Sequence, residues 1–126
     1  MLEMKEDQHM KMTNAQMYDS LVVLNQAEEK GVLGFAIAQN RRKLAEELKE
    51  YAQKRDELLR EYGTDDGEGR FTITADKVPA FSAALRPFAE MTADVAVRQV
   101  SEADFCSGSL TSSQMVMLEW MIKEEG

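Results

Sequence analysis

The stretch LGFAIAQNRRKLAEELKEYAQKRDELLREY, Leu33 to Tyr62, decides how the chain is organised. It holds no proline, and no glycine after Gly34. Ile37, Leu44, Leu48, Tyr51, Leu58 and Tyr62 recur at steps of three and four, the period of one helix face, with Arg41 and Arg55 at the two interrupted places. Ala38, Ala45, Ala52 and Leu59 widen the stripe. Outward pairs four residues apart, Lys43–Glu47, Glu50–Lys54 and Asp56–Arg60, add roughly a few tenths of a kcal/mol each. A helix of about 28 residues is about 42 Å long at 1.5 Å per residue, longer than a small domain is wide. Later segments or another molecule must cover it.

Upstream, Thr13 and Gln16 have the spacing of a capping box, which satisfies orphan backbone donors where a helix begins. Met17, Leu21 and Leu24, with Tyr18 and Val22 beside them, make its apolar stripe. This helix should fade near Glu28 to Lys30, with Gly31 stopping it and GVLG forming a corner. Residues Met1 to Met12 show no periodicity and read as a flexible arm, with His9 solvated.

Downstream, TDDGEGRFTI (Thr64 to Ile73) has the look of a metal loop. A calcium loop with Gly69 at its sixth position would place Thr64, Asp66 and Glu68 at ligand positions and Ala75 where a closing glutamate is required. No Lys-Ser/Thr follows to make a phosphate loop. The stretch therefore reads as a turn: Gly63 ends the long helix, Asp65 to Gly69 is a loop tip, and Arg70 to Thr74 is a short strand. Asp76 is placed to cap a helix with Pro79 in its first turn, Phe81, Leu85 and Phe88 inward, and Pro87 near its end. TADVAVRQV reads as a strand with Val95 and Val97 on one side and Ala96, Arg98 and Val100 on the other. Ala93–Val100 is the natural partner for Arg70–Thr74. SEADFCSGS reads as a loop, and Thr111 with Gln114 as a second capping box before MVMLEWMI, Met115 to Ile122. The fold class is mainly α with a small β element (α+β): one domain over 13–126, a long central helix packed by shorter helices and a two-stranded antiparallel, hairpin-like sheet.

The single cysteine, Cys106, excludes an internal disulfide, fits a reducing cytoplasm and is expected to be buried or half-buried. No apolar run approaches the ~20 residues of a membrane span. Net charge is −8, and from Gly63 onward five basic residues face eleven acidic ones, a balance that works against direct nucleic-acid binding. With one histidine, no Ser/His/Asp or Cys/His set exists. The paired carboxylates Glu46–Glu47, Asp65–Asp66 and Glu124–Glu125 read as solvated rather than catalytic. Neither enzyme activity nor a cofactor or metal is implied.

KMTNAQMYDSL, then FAIAQNRRKLAEELKEYAQKRDELLREYG with its DDGEG turn, then SSQMVMLEWMIKE at the end, resembles a domain-of-unknown-function family of small proteins encoded by tailed phages and prophages of Gram-positive bacteria. The likeness covers nearly all of Lys11 to Glu125 and rests on layout, with no catalytic motif to carry over. It implies a phage product acting inside a bacterium by binding, located in the host cytoplasm or in the virion. The leading reading is thus a non-catalytic protein-interaction module: an inhibitor of a host or defence protein, or an assembly or virion accessory factor. Two surfaces are candidates for it. One is an acidic face made of Asp65, Asp66, Glu68, Asp94, Glu102 and Asp104. The other is the greasy terminal helix, where Met117, Trp120 and Met121 suit docking or a homo-oligomer. The alternative is a binder of a nucleotide signal, held by Arg41, Arg42, Lys43 and Arg98.

Overall fold

The computed structural model describes residues 8–123. Its elements are β1 (Gln8–Thr13), α1 (Asn14–Gln26), α2 (Gly31–Glu47), α3 (Lys49–Tyr62), β2 (Thr64–Asp65), β3 (Phe71–Thr72), α4 (Val78–Ala89), β4 (Thr92–Val97), α5 (Glu102–Cys106) and α6 (Ser112–Met117), followed by a 3-10 turn over Glu119–Met121. The fold is mainly helical with a small antiparallel β element, as the pattern implied.

The long apolar stripe holds: Ile37, Leu44, Leu48, Tyr51 and Leu58 are all buried. The run is two helices rather than one, divided at Leu48, whose ψ of 0° departs from helical values. The break is local, since Leu48 still donates to the Leu44 carbonyl at 2.9 Å and accepts from Ala52 at 2.8 Å. Each half has its own neighbours, which answers the length problem. α2 packs on α1, β4 and α5, while α3 packs on α4 and β3. Leu33, Ala36 and Asn40 widen the buried face, and Ala38, Ala45 and Ala52 are exposed instead. Of the three outward pairs only Asp56–Arg60 closes, at 3.0 Å, and its exposure keeps its contribution small.

Both arginines that interrupt the stripe serve α1. The Arg41 guanidinium donates to the carbonyls of Leu24 and Ala27 (2.7 and 3.2 Å), capping the last turn of α1. Arg55 lies 4.8 Å from the Tyr18 ring centre, a cation–π contact. At the other end of α1 the expected capping box is complete: Thr13 Oγ1 accepts from Gln16 N (3.0 Å) and Gln16 Oε1 from Thr13 N (2.9 Å). GVLG is no corner; it is the first turn of α2. Gly34 is required there because a Cβ would overlap the backbone carbonyl of Glu29.

Three further expectations are corrected. Residues 8–12 are no arm: β1 pairs antiparallel with β4, from Gln8 opposite Val97 to Thr13 opposite Thr92, and Met12 is buried. Residues 1–7 of that arm lie outside the described residues. Nor does β4 pair with the strand after the turn. Phe71–Thr72 closes a hairpin on Thr64–Asp65, with Gly67 and Gly69 supplying the positive φ of its tip (88° and 83°). SEADFCSGS contains a helix, α5, capped by Ser101 and anchored by the buried Phe105, and Cys106 at its end is exposed.

Two smaller points differ as well. Lys77, not Asp76, precedes α4; the Asp76 carboxyl instead bonds the Thr74 hydroxyl and its own backbone, which together hold it below the ordinary carboxylate value. Val100 is buried and bridges Ile122 in parallel: its N–H donates to the Met121 carbonyl at 2.8 Å, and its carbonyl accepts from Lys123 at 2.7 Å.

The core lies between the β1–β4 ladder, α1 and α2, with Met12, Met17, Leu24, Ile37, Val95 and Val97 among its buried side chains. Fully buried Asn40 ties α2 to the end of β4. Its Nδ2 donates to the Arg98 carbonyl (2.9 Å) and its Oδ1 accepts from the Arg98 N–H (2.8 Å), so one side-chain amide continues the ladder where the strand stops. Replacing Asn40 with Ala leaves both Arg98 backbone groups without that partner, and urea unfolding should show a loss of about 2–4 kcal/mol. Gly34→Ala should cost about 1–3 kcal/mol through the forced overlap with Glu29, read in the same experiment.

Candidate functional site

The C-terminal segment is fixed across α1 by its own polar contacts. Thr111 and Gln114 complete the second capping box and start α6. Past α6 the chain tightens into the 3-10 turn, where Leu118 and Met121 enter the core. Trp120 Nε1 donates to the buried Ser20 Oγ at 3.0 Å, and the Trp120 carbonyl accepts from Gln99 Nε2 at 2.8 Å. These bonds hold a half-buried indole beside α1 instead of leaving it free on the surface.

An open groove of about 440 Å³ results, lined by three elements. Met10, Lys11 and Met12 come from β1. Gln16, Asp19 and Ser20 come from α1. Val116, Met117, Glu119 and Trp120 come from the C-terminal segment. Val116 is 72% exposed and Met117 40%, so two apolar side chains stand in solvent on one wall. Asp19 and Glu119 are exposed carboxylates of α1 and the 3-10 turn, and among the described residues neither forms an ion pair.

Of the docking residues expected from the sequence, Met117 and Trp120 line this groove, while Met121 is wholly buried and belongs to the core. The α1 and β1 residues of the groove were missed because Met1 to Met12 read as an arm. The alternation Met10-Lys11-Met12 and a serine amid the α1 stripe were the available signals.

The six acidic candidates stand on three separate elements. Asp65 and Asp66 belong to the hairpin and hold its tip: Asp65 Oδ1 accepts from Gly67 N (2.9 Å), and Asp66 Oδ1 accepts from Glu68 N (2.8 Å) and Arg70 N (3.3 Å). Glu68 is exposed beside them. Asp94 is exposed on β4, opposite Lys11 in the ladder. Glu102 and Asp104 lie in the first turn of α5, where carboxylates suit a helix start. The stretch from Thr64 to Ile73 thus contains a hairpin whose carboxylates organise their own backbone. Among the described residues no group of three His, Cys, Asp or Glu side chains is placed to hold a metal ion. Glu124 and Glu125 lie outside the described residues.

The basic candidates divide too. Arg41 is engaged as the cap of α1, and Arg42 is exposed. Lys43 and Arg98 are near neighbours: the Lys43 ammonium is held below its ordinary pKa, first by burial and then by the Arg98 charge. Among the described residues no helix is long and apolar enough to cross a membrane. The chain matches no protein-family model, no curated protein and no solved structure.

Because Arg41 bonds backbone carbonyls, Arg41→Ala should lower stability by about 1.5–3 kcal/mol in the absence of any ligand. Arg42→Ala, on the exposed side of the same turn, should stay within about 0.5 kcal/mol of the parent. Urea unfolding of the two variants checks the difference.

Proposed function

We propose that the protein is a non-catalytic interaction module encoded by a phage or prophage. It acts by binding another protein, as an inhibitor of a bacterial host or defence protein or as an assembly or virion accessory factor. One observation carries this reading: the open groove with Val116 and Met117 standing in solvent beside a fixed indole. Concave apolar surfaces rimmed by polar groups suit protein contacts, and methionine adapts its shape to a partner. Support also comes from the residues that first suggested other chemistry. Asp65 and Asp66 organise a turn and Arg41 caps a helix, so each has a structural duty. The resemblance of the layout to small phage proteins supplies the setting.

The test is affinity capture of the tagged chain from phage-infected cells, run beside the double variant Val116→Asp, Met117→Asp. Both side chains are exposed, so the variant should keep its melting temperature. A specific partner recovered with the parent should fall by at least about tenfold with the variant, equivalent to about 1.4 kcal/mol. Equal recovery by both would overturn the groove as the contact. A rise in melting temperature with nucleotides, lost in Lys43→Ala, would turn the reading towards a small-ligand binder.

A further inference from the structure

The groove has a property that an ordinary apolar cleft lacks. Met10, Lys11 and Met12 are consecutive residues of a strand, and all three line it. Side chains of successive strand residues point to opposite faces, so a cleft bordered by three in a row runs along the strand's edge. That edge is open. β1 is paired on one side only, with β4, and among the described residues no hydrogen bond outside that ladder reaches the backbone of residues 8–12. In an antiparallel pair, alternate residues turn their N–H and C=O away from the partner strand, so β1 presents a row of donors and acceptors to the groove.

Charge selects the occupant. Among the described residues Asp19 and Glu119 form no ion pair, their two carboxylates outnumber Lys11 at the groove, and the whole chain carries −8. A second copy would bring like-charged rims together, whereas a basic segment is attracted both at long range and at the rim.

Resting on the interaction-module reading, we propose that β1 accepts an extended basic segment of a partner protein as an added strand. Alternate apolar side chains of that segment enter the groove beside Met12 and Met117, and a lysine or arginine reaches Asp19 and Glu119. Backbone bonds to β1 supply affinity and the groove supplies side-chain selection.

The probe is a linear peptide of about ten residues, ample for the six-residue strand at ~3.3 Å per residue, selected from a displayed random library on the full chain and then synthesised. The selected sequence should alternate apolar residues and contain lysine or arginine. N-methylation of its backbone should cut affinity about tenfold or more at every second residue and leave the intervening residues tolerant. Asp19→Lys with Glu119→Lys should weaken binding, and exchanging the basic residues of the peptide for glutamate should restore it.

Uniform tolerance of N-methylation, combined with loss of binding in Met117→Asp, would overturn strand addition while leaving the groove as a contact. Binding insensitive to both would overturn the groove reading itself. Self-association in sedimentation that Met117→Asp abolishes, with no peptide selected, would make a second copy the occupant and overturn the proposal.

Discussion

The pairing of β1 with β4 is the constraint on which the other contacts rest. It joins segments separated by about 80 residues, so the chain must close a long loop before either strand gains a partner. The return for that closure is large. Met12, Val95 and Val97 form one wall of the core, and α1 leaves directly from the end of β1. Thr13 takes part in both, opposite Thr92 in the ladder and as the cap of α1. The junction is tightened by Asn14, whose N–H donates to the Met91 carbonyl and whose Nδ2 donates to that of Phe88, both at 2.9 Å. The ladder therefore sets the direction of α1 and, through Asn14, the end of α4.

Polar side chains then act as fasteners between elements that are otherwise held by apolar contact. Arg41 and Arg55 attach α1 to the α2–α3 run, Asn40 attaches α2 to β4, and Trp120 attaches the C-terminal segment to α1. A further link joins the segment after α5 to the turn before α2, where Glu29 Oε1 accepts from Ser109 N (2.7 Å) and Ser109 Oγ (2.9 Å). Apolar burial is non-directional, and these bonds choose among packings that would bury similar areas. Their directionality gives the groove a defined shape, because its walls belong to elements fastened to one another.

Among the described residues the same ladder that builds the core leaves the outer edge of each of its two strands without a strand partner, and Met10, Lys11 and Met12 of β1 line the groove. Exposed edges invite pairing with other chains, and proteins commonly blunt them with charge or cover. Here α1 and the C-terminal segment supply the other walls of the groove beside β1. The core and the groove proposed as a binding surface thus have a common origin in where β1 docks.

Local signals settled the parts of the fold that depend on a few neighbouring residues. Both capping boxes, the helical stripe from Ile37 to Leu58, the glycine-tipped turn after Tyr62 and the inward valines of β4 were readable, because hydrogen-bonding reach and side-chain period act over a turn or two. Strand partners, the division at Leu48, the helix containing Phe105 and the burial of Met12, Val100 and Met121 were decided only by tertiary structure. Each depends on surfaces far apart in sequence: Met12 is apolar in either setting, and only the arrival of β4 makes it core. Arg41 and Trp120 show the same for sites, since a guanidinium or an indole has the same chemistry in every sequence, and what it bonds is set by the backbone carbonyl or hydroxyl that packing brings to it.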